Sequence, residues 1–277
     1  NTVSGMEQNS FLFQQASRAG MSHADLLRYV LKNSCRRQKI SFPLHSKQIS
    51  NQRKPVHVIF GGKTSERQVS LMSGTNVWLK LRKSHAYSPK PFLLDSQNSV
   101  WELPYGLILN HTVEEIVQNA EEAINGEQNI EDKVERVKLE LLLDENEATA
   151  PFFTPRKISF SDFSKKSDFV FLGLHGGDGE NGNFQKIFSR HGVKFNGSNE
   201  KTSRLCMDKF STGEFVRKSG IEGVTTAPQK VVTLKNIKSG KINELWNELE
   251  RELNAKTFIA KPKDDGWIEW QHPDASN

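Results

Sequence analysis

The sequence predicts an α/β protein whose sheet is mainly parallel, and three observations support this. Residues 56–60 and 169–174 are apolar runs, and each leads through a glycine-rich turn into a segment with helical spacing. Beyond residue 169, apolar and helical segments continue to alternate, as is typical of α/β proteins. Turns of this kind present backbone N–H groups and helix N-termini, which favour anions or small polar ligands.

Composition limits the kinds of function. The chain has 277 residues, a net charge of +5 and 35% hydrophobic residues, which suggests one large or two ordinary domains with sizeable exposed stretches. The basic clusters lack interleaved aromatics, so no nucleic-acid partner is predicted. No apolar run could cross a membrane, and the start lacks a signal-peptide pattern. Cys35 and Cys206 form no CxxC motif, so zinc is not expected and a reducing compartment fits.

The first elements are predicted from caps and spacing. Ser22 to Asp25 has the spacing of a capping box and should begin a helix that carries Leu26, Leu27, Val30 and Leu31 on one face. Residues 35–54 are basic and polar and indicate a linker.

Further along, helix caps and charge define three segments. Thr64 or Ser65 should cap a helix over 66–82, and Thr112 a second helix with apolar residues at helical spacing. Residues 88–110 are expected to form strands and turns, and 126–149 a charged, solvated insert.

The second half continues the alternation. The predicted strands lie at 169–174, 193–195, 229–234 and 257–261, and the predicted helices at 183–190, 202–219 and around 242–253. The last helix carries a strong apolar stripe, which is expected to pack in a core.

Glu66 and Ser70 are the first candidate site residues. They are four residues apart on a helix, so they share a face at its first turn, directly after a strand. A carboxylate there can hold a substrate ammonium while Ser70 fixes its rotamer. The simpler alternative, that Glu66 only complements the helix dipole, is equally open.

His175 and Glu180 follow the second strand. A histidine at a strand end can bind a carboxylate, transfer a proton or simply bond its own loop. Lys209 and Lys261 are candidates for phosphate contacts, because an ammonium is a compact point charge, although either could be an ordinary surface lysine.

Together these segments resemble the D-alanine–D-alanine ligases. The matching motifs, in that family's order, are FGGKTSERQVSLMSG at 60–74, LHGGDGENG at 174–182, GVKFNGS at 192–198, MDK at 207–209 and AKP at 260–262.

The resemblance implies a pre-ATP-grasp, Rossmann-like parallel-sheet domain followed by a partial ATP-grasp α+β lobe. It implies that ATP phosphorylates the carboxylate of one D-alanine and that the amine of a second attacks the acyl-phosphate, with Mg²⁺ as the metal. In that family Glu66 would hold the first ammonium with support from Ser70, and His175 and Glu180 would line the pocket. Lys209 and Lys261 would contact the nucleotide phosphates.

The N-terminal segment resembles the end of the same family. Carried over, Asn1 would bind metal, and Ser10 with Phe11 would hold the carboxylate of the second D-alanine. The chain therefore resembles the tail of one ligase fused to the first half of another, as in plant-type tandem ligases. After Lys261 the family's glycine- and serine-rich loop is replaced by Asp264-Asp-Gly-Trp, and the second ATP-grasp lobe is absent.

The predicted organisation has four parts: a tail at 1–34, a linker at 35–54, an N-terminal ligase domain at 55–200, and an incomplete ATP-grasp lobe at 201–277. Pairing with a missing lobe or a homodimer is expected, and the compartment is the cytoplasm, or the plastid stroma for a plant protein. Two alternatives stay open: a non-catalytic truncated remnant or partner-binding fragment, and another ATP-grasp carboxylate–amine ligase.

Overall fold

The computed structural model describes residues 10–18, 21–42, 53–125, 154–238 and 240–264. The chain divides into two compact units, the first formed by 1–175 with 188–196 and the second by 176–187 with 197–277. The strands are β1 Lys54–Gly61, β2 Tyr87–Leu94, β3 Ser99–Glu102, β4 Arg156–Ser159, β5 Phe169–Leu172 and β6 Lys194–Phe195. The helices are α1 Phe11–Arg18, α2 His23–Arg37, α3 Arg67–Leu81, α4 Tyr105–Ile108, α5 Val113–Asn125, α6 Phe160–Lys166, α7 Gly177–Glu180, α8 Asn183–Arg190, α9 Glu200–Met207, α10 Lys209–Ser219, α11 Leu234–Lys238 and α12 Ile242–Leu253.

One sheet organises the first unit, with the strand order β4-β3-β2-β1-β5-β6. Strands β2, β1, β5 and β6 are parallel, whereas β3 and β4 add an antiparallel edge. The predicted α/β class with a Rossmann-like parallel sheet is therefore confirmed. Parallel strands are buried on both faces, which explains the continuous apolar run of β1, where Val58, Ile59 and Phe60 are fully buried.

Helix α3 packs directly on β1 through a glycine. A methyl group at Gly74 would lie 2.4 Å from the Cβ of Phe60, so the helix approaches the strand more closely than any larger residue permits. Around this contact the core continues with Leu71, Trp78 and Leu93. The close approach fixes the height of the first turn of α3 above the sheet.

The N-terminal helix pair belongs to the first unit. The predicted capping box at Ser22 is confirmed, with its hydroxyl accepting from the Asp25 N–H and the Asp25 carboxylate accepting from the Ser22 N–H. Only Leu26 of the predicted apolar face is buried, while Leu27, Val30 and Leu31 are exposed. The predicted helix is therefore present, and most of its apolar face is open to solvent.

Two predicted caps had different outcomes. Thr112 caps α5, because its hydroxyl accepts from the Glu115 N–H. The α3 cap was predicted wrongly, since Glu66 occupies the cap position without a side-chain bond. The Thr64 hydroxyl instead donates to the backbone carbonyl of His175.

The regular elements that the structure describes in the second unit are helices, and irregular segments lie between them. The single helix predicted over 202–219 is two helices, separated at Asp208, which caps α10 by accepting from the Ser211 N–H. The strands predicted at 229–234 and 257–261 are not formed. Helix α12 has the predicted position, but its apolar stripe is largely exposed rather than packed in a core, with Ile242 58% and Trp246 44% exposed.

The charged insert predicted at 126–149 lies outside the described residues. Among the described helices, none is both long and apolar enough to cross a membrane.

Candidate functional site

The candidate site lies where the strand order changes direction. The chain leaves β1 for β2 on one side and returns much later with β5 on the other side. In open parallel sheets this switch point leaves a crevice at the carboxyl ends of the two strands, and ligands bind there. The loops that begin at Gly61 and Gly173 occupy these two strand ends.

Ser70 ties the two loops together. Its hydroxyl accepts from the Gly61 N–H at 2.8 Å and donates to the Gly173 carbonyl at 2.8 Å. The side chain is completely buried. Sequence reasoning predicted that Ser70 fixes the rotamer of Glu66. In the structure its hydroxyl instead binds the backbone of Gly61 and Gly173.

His175 joins the same cluster. Its Nε2 lies 3.1 Å from the Ser73 hydroxyl, and its carbonyl accepts from Thr64. The ring is half-buried, so one side can reach a ligand while the other is held by α3. The predicted association of the loop after β1 with the loop after β5 is present in the structure.

Glu66 stands half-buried at the start of α3. In the part of the chain that the structure describes, no hydrogen bond or ion pair involves its carboxylate. The neighbouring Arg67 and Gln68 both bind Glu114 of α5. The carboxylate at the helix start therefore retains its capacity to accept hydrogen bonds from a ligand ammonium.

The second unit contains the glycine-rich loop that follows His175. Glu180 is exposed on the short helix α7. The turn needs glycine at 182, where φ is +93° and a side chain would meet the Glu200 carbonyl at 2.5 Å. The Gln185 side chain stabilises the loop by donating a buried hydrogen bond to the Gly179 carbonyl.

Both predicted phosphate lysines are exposed in this unit. Lys209 is the first residue of α10, and its N–H donates to the carbonyl of Lys263. Lys261 lies two residues before Lys263, in the irregular segment that follows α12. Sequence reasoning placed Lys209 inside a helix, but the break at Asp208 moves it to a helix start.

An open cleft of about 660 Å³ lies within the second unit, and Asp208 and Lys263, which are close in sequence to these lysines, line it. Desolvation raises the pKa of Asp208, but hydrogen bonds from Ser211 and the Lys263 ammonium outweigh it and lower the pKa to about 2. The lining includes Asn181, Asn183, Lys201, Arg204, Asp208 and Lys263. The cleft therefore combines polar and cationic side chains with apolar surface from Leu205 and Met207, and its cations can attract a phosphorylated ligand.

The predicted metal ligand, Asn1, is not among the residues that the structure describes. Within the described residues, no group of three or more histidine, cysteine, aspartate or glutamate side chains could hold a metal ion. Ser10 and Phe11 are the two residues predicted to hold the carboxylate of a ligand. The Ser10 hydroxyl is buried, and Phe11 is 74% exposed.

Comparisons with known proteins give the family. The D-ala D-ala ligase N-terminus model matches residues 55–198, a range that contains both loops of the switch point. The chain belongs to the D-alanine–D-alanine ligase family. A D-alanine–D-alanine ligase from Lacticaseibacillus casei is 31% identical over 172 residues, covering 60% of this chain and 42% of that protein. One from Acetivibrio thermocellus is 28% identical over 215 residues, covering 77% and 53%.

The chain thus spans about half the length of these ligases. Among solved structures, a D-Ala:D-Ser ligase from Enterococcus faecalis aligns with a TM-score of 0.48 and 23% identity, over 78% of this chain and 54% of its own. A Bacillus anthracis ligase complexed with ATP aligns with a TM-score of 0.34 and 22% identity, over 69% and 43%.

Sequence reasoning missed three residues that organise this ligase-family site. Ser73 follows Glu66 by seven positions and therefore lies on the same helix face, a signal that was available. Asn196, in the GVKFNGS motif, accepts from the Leu172 N–H at 2.6 Å and extends the pairing of β5. Thr64 was treated only as a cap, and its bond to His175 has no local sequence signal.

The Ser70 contact yields a first prediction. Ser70→Ala leaves the Gly61 N–H and the Gly173 carbonyl buried without their partner, so the free energy of unfolding should fall by about 2 kcal/mol. Urea denaturation followed by circular dichroism measures this. Ser84→Ala, which removes a hydroxyl from a surface turn, should change stability by less than about 0.5 kcal/mol. Equal effects in the two variants would contradict the structural role of Ser70.

Proposed function

We propose that this chain carries the substrate-binding part of an ATP-dependent D-alanine–D-alanine ligase. The observation that supports this most is the switch point, where Thr64 and Ser70 hydrogen-bond the loop that leads to Glu66 to the loop that carries His175. A small amino acid offers an ammonium for the carboxylate and a carboxylate for donors. The family match supplies D-alanine as the first candidate.

The proposed reaction joins two amino acids at the expense of ATP. A carboxylate oxygen of the first D-alanine attacks the γ-phosphorus, giving an acyl-phosphate and ADP. The amine of the second D-alanine then attacks the acyl carbon, phosphate leaves, and the amine loses a proton as the peptide bond forms. Such chemistry needs positioning and charge neutralisation more than a strong base.

The proposed roles follow from position and charge. Glu66 holds the ammonium of the first D-alanine, and Ser70 fixes the loops that carry it. His175 and Glu180 line the substrate site.

Lys209 and Lys261 are proposed to contact the phosphates of ATP. The cationic side chains that line the cleft of the second unit, Lys201, Arg204 and Lys263, support a phosphorylated ligand on this unit. ATP supplies the phosphoryl group when bound, and the lysines neutralise its charge. Mg²⁺ is the proposed metal, with Asn1, which lies outside the described residues, as a ligand.

The wider organisation is also a proposal. Residues 1–34 are the tail of a preceding ligase copy, 35–54 a linker, 55–200 the N-terminal ligase domain, and 201–277 an incomplete ATP-grasp lobe. The buried Ser10 hydroxyl meets no partner among the described residues, which supports its proposed role, with Phe11, at the carboxylate of the second D-alanine. A plant-type tandem ligase in the plastid stroma, or a cytoplasmic one, fits this plan.

Replacing Glu66 tests the proposal. Glu66→Gln keeps the shape but removes the charge that attracts an ammonium, so D-alanine affinity should fall roughly 10- to 100-fold, since hydrogen bonds to charged groups contribute about 1.5–3 kcal/mol. Isothermal calorimetry on the full chain measures the affinity, with D-serine and glycine titrated for comparison.

Glu121→Gln is the matched control, because Glu121 is an exposed carboxylate on α5. Its D-alanine affinity should equal that of the unmodified chain. If Glu66→Gln binds D-alanine as tightly as the unmodified chain, Glu66 is not the ammonium site. If the unmodified chain binds no D-alanine at all, this half of the proposed ligase is not a substrate-binding unit.

A second candidate, a partner-binding fragment, is favoured by the exposed apolar residues of the second unit. Leu234 is 71% and Ile259 81% exposed, in addition to Ile242 and Trp246. Apolar surface of this extent usually contacts another protein surface. Pairing with a missing lobe or a homodimer would cover it, and sedimentation as a dimer without D-alanine binding would favour this candidate.

A further inference from the structure

The N-terminal helix pair has a small apolar centre of its own. Phe13 and Met21 are each 3% exposed, and Leu26 is 8% exposed. Partly buried neighbours complete this cluster. Burying each such side chain contributes favourably to packing, so the pair is an ordered element of the first unit rather than a loose extension.

Its seat on the unit is an aromatic and cationic surface formed by Trp78, Arg82 and Tyr105. The Arg82 guanidinium lies 4.2 Å from the centre of the Tyr105 ring and 5.0 Å from that of Trp78. The Tyr105 hydroxyl accepts from the His23 N–H at 3.2 Å and also contacts the His23 ring. Tyr105 of this seat therefore contacts the first residue of α2.

A second contact fixes α1. A Cβ placed on Gly106 would lie 3.7 Å from the Cβ of Ser17 and 3.1 Å from its hydroxyl oxygen. The glycine therefore lies in close contact with α1, and a larger side chain there would need Ser17 to shift slightly. Nearer the start of α1, Gln14 Nε2 lies 3.5 Å from Nε2 of His111. His111 lies two residues before the first residue of α5.

From His111 the contacts lead to the candidate site. The Val113 N–H at the start of α5 donates to Gln68 at 3.0 Å, and Glu114 binds both Arg67 and Gln68. These two residues form the first turn of α3, directly after Glu66. The docked helix pair, the start of α5 and the start of α3 are thus joined by side-chain bonds.

We propose that the α1–α2 pair is a positioning element for the candidate site. Its docking on Tyr105 and Gly106 holds the start of α5, and through Gln68 and Arg67 it holds the turn that carries Glu66. A segment that precedes the proposed linker at 35–54 thereby positions a site in the domain at 55–200. The effect on ligand affinity rests on the proposed function, whereas the effect on the α3 turn does not.

A disulfide tests docking directly. Ser17→Cys with Gly106→Cys, in a chain carrying Cys35→Ser and Cys206→Ser, has the Cβ separation that a disulfide requires. Oxidation should give a compact, internally cross-linked monomer on a non-reducing gel. Ser34→Cys with Gly106→Cys is the control, since position 34 is about 16 Å further along α2 from His23.

Two results would overturn the docking step. If the first pair cross-links no better than the control pair, the helix pair does not occupy the seat. If it forms covalent dimers instead, the seat holds the helix pair of a second copy of the chain, and positioning within one chain is wrong.

Hydrogen exchange tests positioning without any ligand. Tyr105→Phe removes the bonds to His23 but keeps the ring, so amides 67–70 and 113–116 should exchange at least tenfold faster while those of β1 are unchanged. Tyr87→Phe, an exposed tyrosine on β2, is the matched control and should change neither. Unchanged exchange at 67–70 in Tyr105→Phe would refute positioning.

The same variants connect positioning to the proposed ligand. D-alanine affinity should fall about three- to tenfold in Tyr105→Phe and should be kept in the cross-linked chain. If the unmodified chain binds no D-alanine, the proposed function fails while the exchange result still decides the positioning role. If it binds and Tyr105→Phe binds equally well, the helix pair does not position Glu66.

Discussion

Gly74→Ala should lower the free energy of unfolding by about 1–2 kcal/mol. The added methyl group meets the Cβ of Phe60 at 2.4 Å, and that atom is attached to the buried backbone of β1 and cannot swing away. Overpacking of this kind costs about 1–3 kcal/mol or more, and it outweighs the gain of about 1 kcal/mol in helix propensity. Urea denaturation followed by tryptophan fluorescence measures the loss.

Asn76→Ala provides the comparison on the same helix. Asn76 is exposed, so the change should leave stability equal or raise it by a few tenths of a kcal/mol through helix propensity. A Gly74→Ala chain as stable as Asn76→Ala would mean that α3 can move away from β1 at little cost. In that case the position of the site's first turn would not depend on this glycine.

The stability of the first unit should fall as the pH decreases from 6.5 to 4. Burial of His57 in β1, reinforced by the charge of Lys90 and opposed by that of Asp168, lowers its pKa from 6.5 to about 4. The unfolded chain therefore binds more protons in this range. His57 therefore contributes up to about 3 kcal/mol to the free energy of unfolding. This contribution is fully present above pH 6.5, is lost as the pH approaches 4, and changes no further below that pH.

The surroundings of His57 explain why it stays neutral. The Ser167 hydroxyl donates to the Phe163 carbonyl, so its oxygen accepts from Nδ1–H of His57 at 2.6 Å. The ring also packs against Phe92, with 4.8 Å between ring centres.

His57→Gln should flatten the dependence of unfolding free energy on pH between 4 and 6.5. His85→Gln, at an exposed histidine, should keep it. Urea denaturation at several pH values measures both variants. An unchanged slope in His57→Gln would assign the pH dependence to other groups.

Sequence reasoning places the candidate site from signals that are local. The apolar runs of β1 and β5 and the glycines that follow each strand can be recognised without knowledge of the fold. The rule that ligands bind at the carboxyl ends of parallel strands then places Glu66 and His175 at one edge. The order of the strands, which brings these two ends next to each other, has no comparable local signal.

The errors arise where partners are distant in sequence or missing. Ser70 bonds Gly173, 103 residues away, and helical spacing only points to the nearer Glu66. The segment 257–261 has strand composition, but a strand exists only when a neighbour pairs its backbone. The break at Asp208 could have been recognised, because aspartate is one of the residues preferred at the N-cap of a helix.

The bond between Thr64 and His175 joins residues 111 positions apart. Closing so long a loop costs entropy before the contact contributes anything, so this corner should form late in folding, after the strands have paired. Because that entropy grows only logarithmically with loop length, lengthening the chain between α5 and β4 should slow folding only slightly. Ligand capture would then report completed folding more faithfully than helix content does.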